Sequence, residues 1–305
     1  MERREFIWKS MGAGLLSGVA PYFGGLNEVL GSPAPSAPQL AAVRGGEAEA
    51  MFDKAIEAIG GMKNFVKPGQ TVLVKPNIGW DAAPDRAANT NPKLVGRIVQ
   101  RCLEAGAKEV RVFDNTCNRW DLCYKNSEIE KYVKEAGGKM VPGNLESYYK
   151  DVQIPRGKVL RSTKVHELVL NSDVFINVPV LKHHSSTTLS LGMKNLMGVV
   201  WDRRFYHGNN LSQCIADFCT YRIPDLTIID GYKMLTKNGP RGVSTADVVD
   251  LKALIASADI VAADAAATKL FGTEPDQIEH LKIASSMGLG VIDLGKVNIQ
   301  RIKMN

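Results

Sequence analysis

The segment LKHHSSTTLSLGMKNLMG, residues 181–198, concentrates groups that bind anions and move protons. It holds Lys182, His183, His184, Lys194 and Asn195 among hydroxyl side chains. Amines attract phosphate or carboxylate, and imidazole changes charge near neutral pH. Adjacent residues of a strand face opposite ways, so His183 and His184 do not both reach one ligand or one metal. The Gly192–Asn195 stretch is expected to open a helix whose free N–H groups, with Lys182 and Lys194, would suit an anion. The spacing is not that of a P-loop, because G-x-x-x-x-G-K-[ST] is absent.

Other candidates follow short apolar runs. VLV is followed by Lys75, Pro76 and Asn77, and VRVF by Asp114, Asn115, Thr116 and Cys117. VFINVPV runs straight into Lys182 and the histidines, and LTII precedes Asp230-Gly231, which reads as an ordinary polar turn. In open α/β sheets ligands collect where strand carboxyl ends meet loops, so the first three groups are expected to converge. In that arrangement Lys75, Lys182 and Lys194 contact anionic groups, and Asn77 and Asn195 orient the ligand. Asp114 with His183 or His184 supplies acid–base or metal-ligating capacity, with His183, Cys117 and Asp114 as candidate metal ligands. The run WDRRFYHGNN places Arg203, Arg204 and His207 either on a basic rim or in a solvated loop. His166 and His280 read as surface or partly buried residues of helices. No G-x-S-x-G elbow or H-E-x-x-H helix is present.

These residues need elements to hold them. Apolar runs at 40–44, 71–77, 109–115, 173–180, 226–230, 251–257 and 297–304 read as strands. Helical periodicity covers 47–62, a stretch opened by Thr90 or Asn91 with Pro92, and roughly 210–221, 258–272 and 275–288. Ser127 and Glu130 suggest a capping box for a helix that ends at Gly137-Gly138. Between 139 and 162 short strands and turns are expected. Alternation of this kind predicts an α/β fold: a largely parallel sheet with mixed edges and helices on both faces, forming a single domain over 39–305.

Residues 1–38 read differently. Arg3-Arg4, a short Gly/Ala/Leu run and GSPAPSAP resemble a twin-arginine export signal, recognised by the twin-arginine export machinery. A periplasmic or extracytoplasmic location is therefore expected, with membrane attachment only if the segment is retained as an anchor. Because this route carries folded chains, a metal or cofactor loaded before export is a further expectation. There are five cysteines, with no iron–sulfur spacing. Cys214 and Cys219 lie on a core stripe. A disulfide, a metal-ligand pair and two free thiols all suit Cys117 and Cys123, and an oxidising compartment favours the disulfide. Hydrophobic content is 45% and net charge +6, without a basic run, which argues against nucleic acid and fits an anionic small molecule or a negatively charged surface partner equally well.

VLVKPN, the T-x-P helix start, DVFINVPVLKHH, SLGMKNLMG and the late ASADIVAADAAATKLFG together resemble the family called domain of unknown function 362, over nearly all of the chain after residue 38. Members of that family are often exported or fused to ferredoxin-type modules. The resemblance therefore implies a redox or iron–sulfur protein partner, although this chain lacks such a module. The leading expectation is a crevice for an anionic small molecule or a metal-containing cofactor. A non-enzymatic accessory module for an iron–sulfur system is the alternative. A metal-dependent hydrolase comes third, since it needs three placed ligands.

Overall fold

A computed structural model describes residues 39–305, so the expected signal over 1–38 lies outside the described residues. The chain runs β1 (Leu40–Arg44), α1 (Ala48–Ala58), β2 (Thr71–Pro76), α2 (Pro92–Glu104), β3 (Glu109–Val112), α3 (Trp120–Asn126), α4 (Ile129–Glu135) and β4 (Lys139–Met140). It continues through β5 (Tyr149–Gln153), β6 (Ser162–His166), α5 (Glu167–Asn171), β7 (Val174–Val178), β8 (Val180–His184), β9 (Thr188–Ser190) and α6 (Gly192–Asn195). The last part is α7 (Arg204–Gly208), α8 (Leu211–Cys219), β10 (Leu226–Leu235), β11 (Val248–Ser257), α9 (Ile260–Phe271), α10 (Glu279–Ser286) and β12 (Ile299–Lys303).

Ten strands form one sheet in the order β12-β1-β11-β10-β7-β2-β3-β4, with β8 on β10 and β9 on β8. Pairing is parallel from β10 through β7, β2 and β3 to β4. The antiparallel pairings lie at β11, inside the sheet between β1 and β10, and in the β8–β9 hairpin. The fold is thus an α/β sheet of mostly parallel strands with helices on both faces. Strand alternation explains the two-sided core. Leu73 and Phe175 face the cluster that holds α8, α9 and α10, while Val72, Val74, Val174 and Ile176 face the one that holds α1, α2 and α4.

Local chemistry sets the helix ends. Asn91 caps α2 by accepting from the amides of Lys93 and Leu94, with Pro92 at the first position. Asp259 does the same for α9 through Val261 and Ala262, and Gly272 (φ 91°) closes it. The capping box at Ser127 does not form. Glu128 holds the N-cap position in a left-handed conformation (φ 61°) and makes no side-chain cap, and Ser127 Oγ donates back to the Tyr124 carbonyl (3.2 Å) while accepting from the Ile129 amide at 3.4 Å. The break comes because α3 already occupies 120–126, turning part of the expected polar loop into a helix. Strand β10 runs on to Leu235 across an irregularity between Gly231 and Lys233, so Asp230 is not a terminal turn. It is buried and accepts from the amides of Asn91 and Tyr232.

Candidate functional site

Parallel register places the polar residues that follow β2 and β3 on one edge of the sheet, and β8 brings Lys182 beside them. Lys75 pairs in register with Asn177 of β7. The short helix α6 carries Lys194 and Asn195 over these strand ends.

The core of the site is a buried polar network. Lys75 is fully buried; its Nζ donates to Asn195 Oδ1 (2.9 Å) and Pro76 O (2.8 Å) and is ion-paired with Asp114 Oδ1 at 2.8 Å. The charge of this ammonium is therefore paired and two of its donors are hydrogen-bonded. Asp114 Oδ2 accepts from the Ile78 amide at 2.7 Å, so one carboxylate oxygen is hydrogen-bonded and the other faces the ammonium. Asn195 Oδ1 also accepts from Asn77 Nδ2 (3.1 Å), while its Nδ2 donates to Asn177 Oδ1 (2.9 Å) and the Lys75 carbonyl (3.3 Å). Asn177 Nδ2 in turn donates to Gly192 O at 3.0 Å. Gly198 lies against the ion pair. A Cβ there would stand 2.0 Å from Asp114 Oδ1 and 2.5 Å from Lys75 Nζ, so only glycine fits this approach.

Over this network lies a cleft of about 520 Å³ lined by Lys75, Lys182, Lys194, Arg203 and Arg204 against one carboxylate, Asp114. Lys182 Nζ donates to Asn77 Oδ1 at 2.8 Å and to the Ala88 carbonyl. Among the described residues, the one hydrogen bond of Lys194 Nζ is to Met197 Sδ, at 3.5 Å. Arg203 is held by the carbonyls of Asn115 and Thr116 and approaches Cys117 Sγ at 3.4 Å. Burial pushes Lys182 down to about 7 and Lys194 to about 8, helped for Lys182 by the neighbouring charges of Lys194 and Lys75. The Lys75 ammonium is also lowered by burial, with Asp114 opposing the shift. His184 falls to about 3 through burial and then through Lys194 and Lys182. Its Nδ1 accepts the Ser186 amide at 3.0 Å, so the proton of the neutral ring sits on Nε2.

Eight of the nine residues nominated from the sequence, all but His183, line this cleft. His183 Nδ1 accepts from the Gly239 amide at 3.1 Å, away from the cleft. The two histidines separate as strand alternation requires, and His184 is the one that lines the cleft. The free helix N-terminus expected at Gly192 is not free. The buried Asp264 accepts from the amides of Gly192 (2.6 Å) and Met193 (2.9 Å), occupying the position expected for a bound anion. The favoured disulfide is not formed: Cys117 is exposed at the cleft and Cys123 is buried in α3 near the Gly79 carbonyl. Cys214 and Cys219 are buried, as a core stripe implies. His166 and His280 are fully buried rather than superficial; His166 stacks on Phe113 with ring centroids 3.9 Å apart.

Among the described residues, no three His, Cys, Asp or Glu side chains gather as a metal site. His183, Cys117 and Asp114 do not form a ligand set. Sequence reasoning missed Asn177, Asp264 and Gly198. The first two carried a usable signal, a polar residue inside an otherwise apolar strand and an acid inside an alanine-rich helix. Arg203, Arg204 and His207 resolve as rim rather than detached loop. A second hollow between α1, α2 and α4 is larger, about 690 Å³. Asp53 in its wall is bound by both Arg97 and Arg101.

Sheet and cleft together define an α/β protein with a cationic cleft at the carboxyl ends of its parallel strands. The chain belongs to the family described as domain of unknown function 362, whose model matches residues 72–269. It is 28% identical over 242 residues to a thylakoid-associated protein of Synechocystis sp., covering 77% of this chain and 73% of the relative. Among solved structures it is similar to the lactate racemase apoprotein of Thermoanaerobacterium thermosaccharolyticum, with a TM-score of 0.47 and 10% identity. That match covers 82% of this chain, which spans 57% of the racemase chain. Among the described residues, no helix is long and apolar enough to cross a membrane.

Proposed function

We propose that the cleft binds a small anionic molecule, a carboxylate or a phosphate. The observation that carries this reading is Lys194, an amine lining the cleft whose hydrogen bond among the described residues goes to a thioether. An amine partly withdrawn from water without an acidic partner is costly unless something supplies the counter-charge. A ligand anion would do so, between Lys194, Lys182 and the guanidinium groups at the mouth. Lys75, Asn77 and Asn195 then act as the frame that sets these groups, rather than as contacts, because their own donors are engaged. His184 offers an Nε2–H donor.

Binding should be linked to protons. An anion favours the ammonium forms of Lys182 and Lys194, which lie at about 7 and 8 in the free protein. Affinity is therefore expected to fall as pH rises from 7 to 9, and binding at pH 8 should take up protons. Calorimetric titration of residues 39–305 with inorganic phosphate and with malonate, in buffers of different ionisation enthalpy, reads both effects. Lys194→Met is expected to weaken binding about tenfold, corresponding to about 1.4 kcal/mol. The absence of saturable binding for either anion would remove this reading.

For location, we propose an extracytoplasmic setting, supported by the arginine pair at Arg3-Arg4 and by the thylakoid-associated relative. Fusing residues 1–38 to a reporter and following its export with and without Arg3→Lys and Arg4→Lys tests it; retention of the intact fusion in the cytoplasm would count against it.

A further inference from the structure

Lys182 is 1% exposed and still lines the cleft, and no acidic side chain is ion-paired with it among the described residues. Its two hydrogen bonds run to Asn77 Oδ1 and to the Ala88 carbonyl, both acceptors. A neutral amine has two N–H groups and one lone pair. Two fixed acceptors occupy both N–H groups and leave the lone pair free. Asn77 is held by Asn195 and cannot turn to present its donor, since its Nδ2 is engaged at 3.1 Å. Lys75 differs, with two acceptors and an ion-paired carboxylate, which suits an ammonium. Of these two buried lysines on the cleft floor, Lys75 is held as a cation by a carboxylate, whereas Lys182, without one, can lose its proton and keep both hydrogen bonds.

We propose that Lys182 is a nucleophilic amine that forms an imine with a small aldehyde or ketone carrying a carboxylate or phosphate. The anionic group would rest on Lys194 and Arg203, so this inference relies on the anion-binding reading for the orientation of the substrate. Nζ attacks the carbonyl carbon to give a carbinolamine. The C–O bond then breaks and the oxygen leaves as water, which carries the two hydrogens lost from the amine. No oxidant or reductant is needed. Desolvation and neighbouring cations are the usual means of keeping such a lysine unprotonated, and both act on Lys182, which titrates at about 7. Lys194, cationic below about 8, can pass a proton to the departing hydroxyl and take one back.

The test is borohydride trapping of residues 39–305 at pH 7.5 with pyruvate, glyoxylate and glycolaldehyde phosphate in parallel, followed by peptide mapping. The expected result is a reduced adduct on Lys182 with at least one of the three, formed at least tenfold faster than on exposed lysines such as Lys63. Lys182→Arg should abolish it, and Lys194→Met should slow it about tenfold at subsaturating probe. Adducts confined to exposed lysines with all three probes overturn the proposal. Phosphate titration of the same sample separates the two readings. Retained anion binding without a Lys182 adduct sinks the imine alone, whereas a Lys182 adduct without anion binding sinks the anion reading alone.

Discussion

Asp114 ties the ammonium on the cleft floor to the turn that follows β2. It supplies the one carboxylate of the cleft, neutralises Lys75 and fixes the turn after β2 through the Ile78 amide. Removing one partner of a buried pair leaves the other charge uncompensated, which typically costs about 3–5 kcal/mol. Asp114→Ala is therefore expected to lower stability by about that amount in urea unfolding, whereas Lys194→Met, which breaks no ion pair, should change it by less than about 1 kcal/mol. Equal effects of the two substitutions would show that the Lys75–Asp114 pair is not the structural member assigned here. The residue types at 75, 77, 114, 182, 194 and 195 were legible in the sequence because each follows or interrupts an apolar run. Their division into frame and contact was not, because it depends on which donors are already used, and partners 118 to 120 positions away use them.

At the scale of elements, α6 shows how a plausible local reading fails. Its sequence, GMKN, resembles the start of an anion-binding helix, and its first amides do receive a carboxylate. That carboxylate is Asp264 of α9, 71 to 72 positions downstream. Periodicity within either helix cannot show such a contact. Gly192 is required by the same approach, since a Cβ there would stand 2.7 Å from Asp264 Oδ1. Asp264→Ala should leave two buried amides without acceptors. Leaving a buried donor unsatisfied costs about 1–3 kcal/mol per group, so the variant should be clearly less stable in urea unfolding. Because α6 also carries Lys194 and Asn195, the same variant is expected to weaken phosphate binding severalfold; unchanged affinity would mean that α9 does not position the helix. The strands and long helices were readable because their periods are internal. The α3–α4 break and the inside position of β11 were not, because neighbours in space decide both.

For the whole molecule, buried imidazoles set the acid response. His166, His184 and His280 are driven by burial to about 4, 3 and 3. A depressed histidine favours the neutral fold, so the stability it contributes is complete above about 6.5 and is lost as pH falls toward the folded value. Three such groups together steepen the decline by up to about 4 kcal/mol per pH unit, taking about 1.36 for each group. The melting temperature is expected to drop between pH 6.5 and 4. His280→Leu should flatten that drop by about a third at little cost at pH 8, because the buried Nε2 of His280 has no hydrogen-bond partner. An unaltered slope in this variant would place the acid sensitivity elsewhere, in the carboxylates.

The grip of Asp264 on Gly192 and Met193 also bears on biosynthesis. A chain leaving the ribosome has made Lys75, Asp114, Lys182 and Asn195 long before the residue that seats α6 emerges. Until then the nascent polypeptide has the cleft's side chains without the support that aligns them. A small molecule that needs the aligned cleft can settle there only after Asp264 has been synthesised.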